Sequence, residues 1–286
     1  MNEAMPESAT TVSNLALRVA VVACLVLLLL GFTSVLWTPY PVGSLDVAAA
    51  VQGPTPAHWL GTDQLGHDVL SLLMKGLLTS FVVAMVSVAL GALVGLPLGL
   101  AAARWRRALV LPVAALSEFL AAFPALLLAA LLGTALEPGA ATVMIAVGIA
   151  AVPPFAAAAR DAALNAGRLG YVDAARLSGT TGWELVRRHM LYDLVRLVLS
   201  RALSLMGVAV LAEAALSYVG LGLQPPATSL GLLLRDAQTY AGLAPGLLLA
   251  PGLALTLIAL ALGLAGYALR LTVEPALRAE GPDGAA

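Results

Sequence analysis

Apolar runs of membrane-helix length recur six times along the chain, separated by polar intervals of unequal size. A helix needs about 20 apolar residues to cross a hydrocarbon layer about 30 Å thick. Residues 15–36, 76–103, 109–136, 140–159 and 194–219 meet or approach that length, as does a sixth run ending near 269. Between the first two, residues 37–73 are too polar and too rich in Pro and Gly to span. Arg104-Trp-Arg-Arg107 and Glu137-Pro-Gly139 make short turns, while 160–193 is the longest polar interval after residue 74. Residues 220–242 form a Gly- and Pro-containing segment without spanning character. The pattern predicts an all-α polytopic membrane protein with six transmembrane helices. Its first part, 1–73, holds a polar tail, the first helix and a loop, and its second, 74–286, is the helical core.

Composition turns that pattern into a statement about solvent. Of 286 residues, 60% are hydrophobic and 11% charged, with a mean hydropathy of +0.95. So few polar residues cannot cover so much apolar surface, so membrane lipid must be part of the solvent. The first run lacks the basic leader and small-residue cleavage site of a signal peptide and is followed by Trp37-Thr-Pro-Tyr-Pro41, which reads as an uncleaved helix ending at an aromatic interface. Cys24 is the single cysteine, lies in an apolar run and is expected to pack. His58, His67 and His189 are scattered, so no metal site is expected, and no nucleic-acid partner either.

Charge placement supplies orientation. With a cytoplasmic N-terminus, thirteen of the fifteen basic residues fall inside, and only Lys75 and Arg235 remain outside. That bias places both termini and the 160–193 loop in the cytoplasm, with 37–73 and 220–242 on the far side. Lys75 is also the single lysine and is followed by Gly76, so a G-x-x-x-x-G-K-[ST] phosphate loop is absent. G-x-S-x-G and C-x-x-C are absent too, and no nucleophile and base stand at helical spacing, which disfavours an enzyme. Energy for any transport must therefore come from a partner or an ion gradient.

Two features inside the helices need an account. Gly91, Gly95 and Gly99, spaced by four, put three positions without side chains on one helical face and predict close helix packing, with Pro97 as a kink. Glu118 and Glu213 are carboxylates within apolar runs, where ionisable groups are expensive. Each has three readings: a place near a helix end or a bond to a neighbouring helix, a part in gating, or proton coupling in a stand-alone secondary transporter.

The long polar interval carries its own local structure. Tyr171 to Ser178 is compatible with a helix, and Gly179 stands where a left-handed cap would end it. Thr181-Gly-Trp-Glu184 reads as a capping box, worth on the order of 1 kcal/mol, that starts a second short helix. Ala174 and Ala175 leave room for close approach, so the unit suits a docking surface.

Asp173-Ala-Ala-Arg-Leu-Ser-Gly179, followed twelve residues on by Leu191, resembles the EAA motif of ABC-importer permeases. His58-Trp-Leu-Gly-Thr-Asp-Gln-Leu-Gly-His-Asp68 with Ser71, Ala122-Phe-Pro124, Leu211 to Gly222 with Gln224-Pro-Pro226, and Pro251-Gly252 extend the likeness. Together they resemble the second (C-type) permease subunit of the dipeptide/oligopeptide/nickel importer family. Departures include Asp173 for the usual Glu, Tyr192 for Pro, His67 for Arg, Leu230 for Trp, and Ala261 and Ala265 for polar residues.

The resemblance implies a type I ABC importer permease fold in a bacterial inner membrane, with cytoplasmic coupling helices. It implies a second permease subunit, one or two cytoplasmic ATPase subunits and an extracytoplasmic substrate-binding protein as partners. ATP and magnesium would be held by the ATPases, with no cofactor on this chain. Tyr171, Asp173, Ala174, Ala175, Gly179, Thr181, Glu184 and Leu191 would dock the ATPase. Asp63, Asp68, Gln224 and Asp236 would lie at an external gate or binding-protein contact, the alternative for their segments being structural capping of helix ends.

Overall fold

The computed structural model describes residues 7–122, 125–166 and 191–279. Eight α-helices lie among them: α1 Glu7–Thr33, α2 Val69–Arg104, α3 Arg106–Ala122, α4 Ala125–Leu136, α5 Ala140–Ala166, α6 Leu191–Tyr218, α7 Leu230–Gln238 and α8 Pro245–Ala279. The described residues contain no strand, only an isolated antiparallel bridge between Thr62 and Asp68. Four helical stretches are long and apolar enough to cross a membrane: Val69–Arg104, Ala140–Leu164, Leu197–Tyr218 and Pro245–Arg270. α1 and the consecutive pair α3 and α4 supply the other two apolar segments.

Several boundaries differ from those expected of the sequence: α1 begins at Glu7 rather than 15, and α5 and α8 run on to Ala166 and Ala279 rather than about 159 and 269. α2 begins at Val69 rather than near residue 76, because the Asp68 side chain accepts from the Ser71 backbone N–H and caps it. Ser71 and Lys75 then join the helix, Ser71 satisfied by Asp68 and Lys75 exposed. The division at 73/74 thus falls inside a continuous helix. Over the helix expected at 109–136, the described residues form α3 up to Ala122 and α4 from Ala125, and Phe123 and Pro124 lie outside them. Pro97, Pro112, Pro153 and Pro154 lie inside helices.

The largest helix interface joins α2 to α5, followed by that between α6 and α8, with α1 against α8 and α2. Gly91, Gly95 and Gly99 all lie at the first of these. A Cβ on Gly95 would stand 2.5 Å from the Val152 carbonyl oxygen, and on Gly91 and Gly99 it would strike Ala151 and Ala156. Backbone-to-backbone approach here needs the missing side chains. Behind it Leu77, Phe155, Leu216, Ile258, Leu262 and Cys24 form one continuous core. Leu93, Leu111, Leu249 and Leu253 point outward and are exposed, as side chains bathed in lipid would be.

Candidate functional site at the capped end

The segment between α1 and α2 folds over one end of the bundle. Asp46 N–H donates to Leu65 O (3.2 Å), Val51 N–H to Asp63 O (2.8 Å) and Thr62 N–H to Gln52 O (3.0 Å), so the segment crosses itself three times. The Thr62 hydroxyl donates to Ala49 O. Gly66, at φ +79°, passes so close to the Asp46 carbonyl that a side chain would collide with it. The result is a cap with a fixed backbone.

The cap is tied to α2 through Asp68. One carboxylate oxygen accepts from Ser71 N–H (2.8 Å) and the Ser71 hydroxyl (2.7 Å), and the other lies 3.0 Å from His58 Nδ1. Tyr40 N–H donates to Ser71 Oγ (3.1 Å), and the Tyr40 ring rests on His58 with centroids 4.5 Å apart. Asp68 is 5% exposed. Its carboxylate is fully engaged in holding helix and cap together, which leaves it little surface for a partner.

Asp63 organises the next turn. It accepts from Leu65 N–H and His67 N–H, each at 2.8 Å, and lies 2.8 Å from His67 Nδ1. A cavity of about 250 Å³ opens beside it, with Asp63, His67, Leu232, Asp236, Leu247 and Pro251 in its wall. Asp236 comes from α7 and keeps an exposed side chain. Partial burial over the cavity raises its carboxyl above the usual range; Arg235 opposes the effect and Asp63 adds to it.

A second polar centre is fully enclosed. Glu213 on α6 has 0% exposure, and one of its oxygens accepts from the Ser217 hydroxyl at 2.7 Å. Its other oxygen, faced by Ser80 and Ser229, makes no hydrogen bond of regular geometry. Ser217 accepts in turn from Leu223 N–H (3.2 Å), Ser80 from Leu230 N–H (3.1 Å) and Ser229 from Leu232 N–H (3.2 Å). Three serines thus link α2, α6 and the start of α7 around one carboxyl. Nearby, Gln224 Nε2 donates to Gly220 O (3.0 Å) and Gly222 O (3.1 Å), closing the turn after α6. Gly231 packs against the Ala214 backbone so closely that a side chain would strike it.

Asp63, Asp68, Gln224 and Asp236 therefore gather at the capped end, with Glu213 beneath them. Glu118 does not join this centre and is exposed on α3. Tyr171, Asp173, Ala174, Ala175, Gly179, Thr181 and Glu184 lie outside the described residues, and Leu191 is the first residue of α6. Sequence reasoning missed the serines around Glu213, which are ordinary residues until the fold brings them together. It also missed the Asp68 cap, although an Asp directly before the apolar run that starts at Val69 carries that signal.

Residues 95–279 match the family described as binding-protein-dependent transport system inner membrane component. Over 265 residues the chain is 34% identical to a glutathione transport system permease protein of Pectobacterium atrosepticum, covering 91% of this chain and 88% of that one. It is 35% identical over 261 residues to a putative peptide transport system permease protein of Brucella suis (90% and 88% covered). It is 30% identical over 264 residues to a probable D,D-dipeptide transport system permease protein of Escherichia coli (92% and 88%). Among solved structures, an inward-facing MetNI methionine ABC transporter matches 73% of this chain and 96% of its own, at 20% identity and a TM-score of 0.55, which shows a shared fold. The chain belongs to the binding-protein-dependent transport system inner membrane components: it is a multi-pass permease subunit of an ABC importer, whose ATP hydrolysis is carried out by separate subunits.

Proposed function

We propose that this chain forms half of a translocation path for peptides, delivered by an extracytoplasmic binding protein and paired with a second homologous permease. The observation that carries the substrate class is the alignment, over about nine tenths of both chains, with relatives named for peptide, dipeptide and glutathione transport. Nickel, which the family resemblance also admits, has no such support, and neither has a stand-alone proton-coupled carrier.

In this reading the charge bias places both termini and the 160–193 loop in the cytoplasm. The capped end then faces the binding protein, with Asp63, Gln224 and Asp236 as its polar contacts. Two ATPase subunits close on ATP, and the 171–189 unit carries that closure to the helices as a rigid-body movement. Asp173 and Glu184 meet basic or amide groups of the ATPase, while Ala174, Ala175 and Gly179 permit close packing.

The test is reconstitution of the complete importer in vesicles with a labelled dipeptide. Gly179→Asp is expected to insert and assemble but to lose ATP-driven uptake. Normal uptake by that variant refutes the docking assignment, and absence of peptide uptake by the unaltered importer refutes the substrate class.

A further inference from the structure

We propose that Trp37 and Trp59 form a clamp for the headgroup and glycerol region of a bilayer phospholipid at the capped end. Trp37 is 64% exposed and Trp59 70% exposed, although 21 residues separate them in sequence. Both border one cavity of about 280 Å³, together with Tyr40, Ala57 and Leu70.

The frame holding them is rigid. Tyr40 N–H is bonded to Ser71 Oγ, the Tyr40 hydroxyl donates to Ala57 O (3.0 Å), and the His58 ring is fixed between Tyr40 and Asp68. Two large apolar rings left bare on a fixed frame mark a surface that something covers.

Position selects lipid as that cover. Val22, Leu25, Leu29 and Phe32 on α1, and Leu36 in the turn after it, are all more than half exposed and recur at alternating spacings of three and four, an apolar face that the turn carries on to Trp37. α1 packs against α2 and α8, two of the membrane-crossing helices, so this face lies at membrane depth and Trp37 continues it outward. Lys75, one turn along α2 from Ser71, is exposed at the same end, as a cationic side chain is at headgroup level. Tryptophan suits this zone, since its ring takes the apolar side while the indole N–H donates to ester or phosphate oxygens.

The experiment places the assembled importer in phosphatidylethanolamine and phosphatidylglycerol vesicles doped with spin-labelled phosphatidylcholine, the label near either the glycerol or the chain end. In a Trp105→Phe, Trp183→Phe background the emission comes from Trp37 and Trp59 of this chain, once the partner subunits' own emission is subtracted. The label near the glycerol is expected to remove more of it than the deep label, with iodide removing little. The difference between the wild-type chain and its Trp59→Phe variant isolates one half of the signal without the double replacement. Stronger quenching by iodide than by either lipid, as for a surface awaiting the binding protein, overturns the proposal. So does emission insensitive to every quencher, as for rings covered by the second permease.

Discussion

Replacing Gly95 by Ala tests whether backbone contact between α2 and α5 holds the core together. The new Cβ would lie 2.5 Å from Val152 O and 2.7 Å from the Phe155 Cβ. Reaching a C···O separation of about 3.3 Å requires the helices to part by about 0.8 Å, along an interface that Gly91 and Gly99 keep equally tight. Overpacking of that kind costs about 1–3 kcal/mol. Alanine also gains about 1 kcal/mol over glycine in helix propensity, which would obscure the loss. Gly263→Ala in α8 is the matched control, because a Cβ there meets nothing within 4 Å. Both variants gain the same propensity, so the difference between them isolates the overpacking. Thermal denaturation of the purified permease should show Gly95→Ala melting clearly below Gly263→Ala. A Gly95→Ala midpoint equal to or above that of the control refutes the close-contact account.

Two further outcomes follow from the capped end. Glu213→Ala leaves the buried Ser217 hydroxyl without its acceptor and should lower stability by about 1–3 kcal/mol, with Glu213→Gln, which keeps an acceptor oxygen and the volume, losing less; equal denaturation midpoints for Glu213→Ala and the unaltered chain would contradict the three-serine link. Asp236, with its carboxyl raised from 3.8, binds a proton more tightly in the folded chain than in the unfolded one. Its contribution is therefore present in acid and lost as pH rises through the unfolded value toward the raised one. Asp236→Asn should flatten the midpoint-against-pH curve over that window, and an unchanged slope would show that the carboxyl is not held over the cavity.

Fold class was readable because lipid imposes a coarse requirement, long apolar runs, that periodicity and composition expose directly. Where helices begin was less readable, because single residues decide it. Asp68 adds two turns to α2 through one cap. α7 escaped notice because Ser229 and nine following residues look like part of a Gly- and Pro-rich loop. The acidic residues that gather at the capped end were singled out by type and position, but their division of labour was not. Asp68 is consumed by its cap and His58, Asp63 holds its own turn yet borders the cavity, and Asp236 stays exposed. That distinction depends on partners 2 to 31 residues away, from Leu65 beside Asp63 to Ser71 beside Tyr40. Glu213 stood out by its cost in an apolar run, but the serines that surround it come from three separate elements and become a group only in the folded chain.

α2 is a single helix of 36 residues, about 54 Å long at 1.5 Å per residue, and so exceeds the hydrocarbon thickness of about 30 Å. It runs without interruption from the Asp68 cap to the basic turn at Arg104, and its glycine face, Gly91 to Gly99, binds it to α5 over about 12 Å toward the Arg104 end. Such a pair behaves as a stiff lever. A small angular change imposed at the Arg104 end becomes a sideways displacement at the Asp68 end, where cap, cavity and α7 are attached. In the proposed reading, the length of one rod converts rotation on one side of the bilayer into translation on the other, without a chain of titrating groups.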